Sequence, residues 1–145
     1  MAWIDLETRI RASQEDVFNV VAHMENYAKA VPHIKSYEFL TEQTTGVGAR
    51  FTETRSMGKK EHTMQFEVKD YSPSNAVRLV TEGDEATWDS TFEIEALDDE
   101  VNLRLAMDVF PKKMSLRLML PLVKVAIRKG VATDMQCVKQ YCEES

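Results

Sequence analysis

From Lys113 to Glu143 the sequence is patterned as one long amphipathic helix, and this follows six or seven stretches in which apolar and polar residues alternate. Leu116, Leu120, Val123, Ile127, Val131, Met135 and Val138 recur at three- and four-residue steps, one stripe of a helix. Pro121 falls inside the pattern and predicts a kink or a break, because proline lacks the N–H that would bond the preceding turn. Gly130, also mid-helix, costs about 1 kcal/mol relative to alanine and predicts that something approaches the backbone closely there.

The earlier stretches read as strands. Ile4, Leu6, Thr8 and Ile10 share one face of strand one, with Asp5, Glu7 and Arg9 on the other. Ser13 offers a helix N-cap with Asp16 three residues on, and Val17, Phe18, Val21 and Met24 follow at helical spacing. A second short helix through Tyr27 and Ala30 should stop at Val31, because Pro32 disfavours helical geometry in the residue before it. Strands two and three are predicted at Ile34 to Thr41 and Ala49 to Met57. Strand four puts His62, Met64, Phe66 and Val68 on one face. Strand five spans about Val77 to Thr81. Strand six places Trp88, Ser90, Phe92, Ile94 and Ala96 inward, and strand seven Val101, Leu103, Leu105, Met107 and Val109. Turn residues such as Gly46-Val47-Gly48, Gly58-Lys59-Lys60 and Ser72-Pro73-Ser74-Asn75 separate strands at short intervals, the mark of an antiparallel meander.

The expected fold is therefore α+β: a curved seven-stranded antiparallel sheet wrapped around a long C-terminal helix, with two short helices between strands one and two. Seven strands span roughly 34 Å and rise roughly 26 Å. A helix about 10 Å across covers around a third of that face, and the short helices add a similar share. The remainder must be hidden by curling, bulky side chains or a ligand, which predicts a partly apolar cavity.

The composition of the 145 residues, 43% hydrophobic and 29% charged, suits one domain spanning 1–145. The first residues lack the basic and apolar regions of a signal peptide, and no apolar run reaches the roughly 20 residues of a membrane span. Cys137 and Cys142 lie five apart on the predicted helix and point to different sides, so no disulfide between them is expected and a reducing cytoplasm is. The net charge of −6 hides an asymmetry: Lys112, Lys113, Arg117, Lys124, Arg128 and Lys129 fall in a stretch with no acidic residue, so the remainder carries −12. The acidic remainder argues against general nucleic-acid binding, and no nucleic-acid partner is expected. The basic stretch is either a solvated helix face or a site of transient contact with an anionic membrane or acidic partner.

The order of elements resembles the START/Bet v 1-like (SRPBCC) superfamily, in particular its polyketide cyclase/dehydrase-like branch, whose fold is the helix grip. The residues that carry the resemblance are Ile10-Arg11-Ala12-Ser13-Gln14-Glu15-Asp16-Val17-Phe18, Val20 to Tyr27 followed by Val31-Pro32, Gly46-Val47-Gly48-Ala49-Arg50-Phe51, and the run from Arg128-Lys129-Gly130 to Val138-Lys139-Gln140-Tyr141. It covers nearly the whole chain. It implies the fold more than any one activity, because the superfamily holds lipid carriers, hormone receptors, cyclases and chaperone activators. Aromatase/cyclase members place an arginine inward on strand four, where this chain has Phe66 and Val68. Quinone-binding and ribosome-associated members often carry a Trp-Cys pair after the proline, where this chain has His33-Ile34.

The candidate site residues line the expected cavity. His62 is either an acid-base or ligand-bonding group or a polar residue at the rim. Strand three has two possible registers. With Phe51 and Met57 inward, Glu53 and Arg55 are inward too, a costly burial unless paired and a potential anchor for a polar ligand head; with Thr52 and Thr54 inward, the charges are surface. The glycine-loop resemblance favours the first. Tyr27, Trp88 and Ser90 offer hydroxyl or indole contacts. Met64, Met107 and Met135 suit an irregular space, and Phe66, Phe92, Leu105, Ile127 and Val131 complete its apolar wall. No metal, cofactor or nucleophile motif is present in the sequence.

Three readings follow. The first is a non-catalytic binder of a small hydrophobic molecule of lipid, polyketide or isoprenoid type, acting as monomer or homodimer. The second is a cyclase-, dehydratase- or hydrolase-like enzyme using His62 and Glu53. The third is a module that docks on a partner or membrane through residues 112–129.

Overall fold

The alternating stretches form a single sheet in the computed structural model, which describes residues 2–144, the Met57 side chain excepted. The inward placement expected for Met57 lies outside that description. In chain order the elements are β1 (Ile4–Ile10), α1 (Gln14–Ala22), α2 (Met24–Ala30), β2 (Ile34–Phe39), β3 (Arg50–Met57), β4 (Lys60–Ser72), β5 (Ala76–Glu82), β6 (Ala86–Ala96), β7 (Val101–Pro111) and α3 (Met114–Glu144). The sheet order is β1-β7-β6-β5-β4-β3-β2, every neighbour antiparallel. This is the helix-grip arrangement expected from the sequence. Irregular register between Ile34 and Ser36 and between Val68 and Asp70 adds local twist and helps bend the sheet.

Local chemistry sets several boundaries. The Ser13 side chain accepts a hydrogen bond from the Asp16 N–H at 3.1 Å and starts α1. Val31, ahead of Pro32, ends α2 in an extended conformation. β2 is shorter than expected, stopping at Phe39, whereas β4 continues beyond Val68, the last residue of its alternating pattern, to Ser72.

The main core lies where α1 and α2 pack on the concave face. Ile10, Val17, Val31, Val77, Val101 and Leu103 are fully or almost fully buried there, with Val138 from α3. The second half of α3 is bound along β1: Lys139 Nζ donates to the Arg9 carbonyl at 2.6 Å, and Glu143 accepts from the Arg11 N–H at 2.9 Å. On the opposite face of the sheet, Arg104 grips Asp5 through two bonds of 2.9 and 2.6 Å, and Arg78 grips Asp89 through two of 2.9 and 2.8 Å. Both pairs are diagonal across neighbouring strands: the register sets Arg104 opposite Glu7 and Arg78 opposite Thr91, and each arginine reaches the carboxylate two residues further along the partner strand.

Of the kink or break expected at Pro121 the break is absent, and so, among the described residues, is the close approach expected at Gly130. The helix runs through Pro121 without a break. Pro121 is on the exposed side, where water can satisfy the carbonyl its missing N–H leaves open. Nor does anything approach Gly130: a Cβ built there meets no atom within 4 Å, and the residue is exposed. The 31-residue helix is therefore continuous, about 46 Å measured along its axis, more than the roughly 34 Å spanned by seven strands.

Candidate functional site

Strand parity brings the site together. Phe51 is buried, and residues two apart on a strand share a face, so Glu53 and Arg55 point inward from β3 with it. Across the β3–β4 pairing, Phe51 faces Phe66, Glu53 faces Met64 and Arg55 faces His62. Glu53 is only 5% exposed. Arg55 Nε donates to Glu53 Oε1 at 2.8 Å, and Arg55 Nη1 donates to Asp134 Oδ2 at 3.0 Å. Asp134, 8% exposed, projects from α3 inside the stripe that otherwise holds Val131, Met135 and Val138. Its second oxygen, Oδ1, is buried without a hydrogen-bond partner among the described residues, as is the Thr81 hydroxyl.

Two carboxylates thus share one guanidinium in a largely dry setting. Desolvation pushes the Glu53 carboxyl above its ordinary range, and the charge of Asp134 adds to the shift, while Arg55 opposes it. Burial disfavours the charged Arg55, but Glu53 and Asp134 outweigh that and raise it. Tyr27, packed 6.3 Å from the Phe92 ring, has its phenol pushed well up by desolvation, with Asp134 and Glu53 contributing. The Cys137 thiol is raised by burial and by Asp134. The cluster holds a proton on Glu53 to higher pH than a surface glutamate would, and it presents both donors and acceptors.

Apolar residues surround these polar ones. Phe51 stacks on Phe66 at 5.5 Å and meets Phe39 edge-on at 6.1 Å; Trp88 meets Trp3 edge-on at 6.1 Å. Of the residues singled out from sequence, Phe51, Glu53, Phe92, Leu105 and Met135 are buried. Tyr27, Arg55, Met64, Phe66, Trp88, Ser90, Met107, Ile127 and Val131 are half-buried. His62 is exposed, at the rim beside Arg55 rather than in the interior, which corrects the inward placement read from its strand parity. The strand alternates correctly, but its first residues extend beyond the cover of any helix.

The concave face is consequently closed at one end and less covered at the other. Leu105 and Phe92 are sealed, whereas Met107 and Ser90, one inward step further along the same strands, are half-buried. Two polar clefts of about 350 and 540 Å³ lie elsewhere, at Arg11–Gln14 with Ala96–Val101 and at Glu7, Asn75, Glu93 and Arg104; none of the candidate site residues lines them.

Asp134 was missed in the sequence, although a signal was present: three residues after Val131 and four before Val138, it is an acidic residue on the face of α3 that the apolar stripe occupies. Among the described residues no group of three or more His, Cys, Asp or Glu could hold a metal ion, and no helix is long and apolar enough to cross a membrane.

Solved structures share this architecture. A START superfamily protein from Mycobacterium smegmatis superposes with a TM-score of 0.80 at 16% identity, covering 97% of each chain. The Zhui aromatase/cyclase from a Streptomyces species gives 0.80 at 14% identity, covering 97% of this chain and 92% of its own. A Thalictrum norcoclaurine synthase, solved with a transition-state analogue, gives 0.73 at 14% identity, covering 97% and 93%. At these identities the likeness shows the fold alone. Among curated proteins none matches the chain in sequence. The family model for polyketide cyclase / dehydrase and lipid transport proteins matches residues 1–143, and with the helix-grip architecture this places the chain in that family.

Proposed function

We propose that the domain binds a small, mainly apolar molecule of lipid, polyketide or isoprenoid type between the concave sheet and α3, with a polar group of that molecule meeting the Glu53–Arg55–Asp134 cluster. The observation that carries this reading is the buried Oδ1 of Asp134 beside Arg55, without a hydrogen-bond partner among the described residues and set among half-buried apolar side chains. A buried acceptor without a donor costs about 1–3 kcal/mol, which a ligand hydroxyl would recover. Half-buried Phe66, Trp88 and Met107 leave apolar area that an occupant would cover. Family membership and fold agree with the reading.

Native mass spectrometry and lipid extraction of the purified protein test it. A bound apolar molecule, lost or weakened in Asp134→Leu and in Phe66→Ala, is the expected result. No retained molecule and no affinity for fluorescent lipids would end the proposal.

A second reading has one specific observation behind it. A glutamate buried beside an arginine, with its carboxyl raised, is suited to hand a proton to or from a bound polyketide-like substrate. In a cyclase- or dehydratase-like enzyme Glu53→Gln would abolish turnover while leaving binding intact. A binder without chemistry shows no turnover in either form. His62, exposed at the rim, has a weaker claim to that role than Glu53.

A further inference from the structure

The first half of α3 carries a second apolar stripe, on the side away from the sheet. Met114, Leu118, Leu122 and Val125 recur at steps of four, four and three, so they share one face over about 17 Å. They are 67, 69, 80 and 76% exposed. Leaving four large apolar side chains in water on one helix face is unfavourable, by roughly 25 cal/mol per Å², and marks an interaction surface. Cations flank it. Lys113, Arg117, Arg128 and Lys129 are exposed and make no ion pair among the described residues. No acidic residue occurs between Lys112 and Lys129, whereas the rest of the chain carries −12.

We propose that this face of α3 docks on an anionic lipid bilayer, the stripe entering the headgroup layer and the flanking cations meeting lipid phosphates. An apolar helix face bordered by lysine and arginine suits that interface. The charge distribution chooses the occupant. A second copy meeting this face through two-fold symmetry would set like-charged stretches against each other. An anionic surface attracts the stretch and repels the acidic body, which also orients the domain. The proposal does not depend on whether the interior holds a ligand.

Co-sedimentation with vesicles tests it. The protein should pellet with phosphatidylcholine vesicles containing phosphatidylglycerol at about 0.05 M salt, and much less at about 0.5 M, where screening is strong. It should pellet poorly with phosphatidylcholine alone. Arg117→Gln and Lys129→Gln should each weaken binding about fivefold. Leu122→Glu with Val125→Glu, at exposed positions, should abolish it with the circular dichroism spectrum unchanged. The idea is overturned by absence of binding to the anionic vesicles at low salt, or by equal binding of the glutamate variant. Concentration-dependent dimerisation that the glutamate variant removes would overturn it too, because the face would then belong to a second copy.

Discussion

Arg55 Nη1 lies 3.0 Å from Asp134 Oδ2, and this bond ties β3 to α3 across the concave face. The same guanidinium holds Glu53 at 2.8 Å, so the contact couples the position of the long helix to a charge balance within the sheet. The cluster gathers the buried charges of a mainly apolar interior, and its energetics can be measured directly.

Replacing Arg55 by methionine leaves two carboxylates buried without their cation. Urea denaturation should show a loss of about 3 kcal/mol. Adding Glu53→Gln and Asp134→Leu to Arg55→Met should recover most of it, because an uncharged interior carries no desolvation penalty. If the single variant is as stable as wild type, the cluster does not matter to folding.

Stability should depend on pH through Glu53. Its folded pKa is raised above the ordinary 4.5. The folded state therefore binds the proton more tightly, and the stability this gives is fully present below pH 4.5 and lost as pH rises through the raised value. Wild type should lose stability relative to Glu53→Gln over that interval in parallel denaturant titrations. Exposed Asp5, Glu82 and Glu143 have lowered values and work in the opposite direction, but they are common to both proteins and cancel. A difference that stays flat, or grows toward acid, contradicts the burial of Glu53.

Gly130→Ala should stabilise the protein by about 0.5–1 kcal/mol, read as a higher urea midpoint at unchanged slope. The helix is continuous there and a Cβ meets nothing within 4 Å. A destabilised variant would mean that some unseen contact requires the glycine.

Ser13→Ala should cost about 1 kcal/mol, because the Asp16 N–H would lose its acceptor at the start of α1. Ser13→Asp should keep most of the stability. Equal loss in both variants would assign Ser13 a role other than capping.

Much of this was written in local pattern. The alternation of Ile4, Leu6, Thr8 and Ile10 returned as a strand with those residues inward, the Ser13 cap and the stop before Pro32 fell where their chemistry requires, and the stripe from Leu116 to Val138 is buried or half-buried along α3. Such features depend on residues three or four apart or on a two-residue period, so neighbours in the chain suffice to specify them.

What tertiary structure alone decided involves residues far apart. Asp134 and Arg55 are separated by 79 positions, and no periodicity announces that a helix carboxylate will meet a strand guanidinium. Strand three could be read in either parity until packing buried Phe51 and carried Glu53 inward with it. His62 alternated correctly yet emerged exposed, since coverage depends on where the helices end. Pro121 suggested a kink or a break and Gly130 a close contact, yet the helix is unbroken and no described atom comes within 4 Å of a Cβ at Gly130. Local sequence fixes which groups can share a face; only the packed chain determines what stands opposite that face, or whether water does.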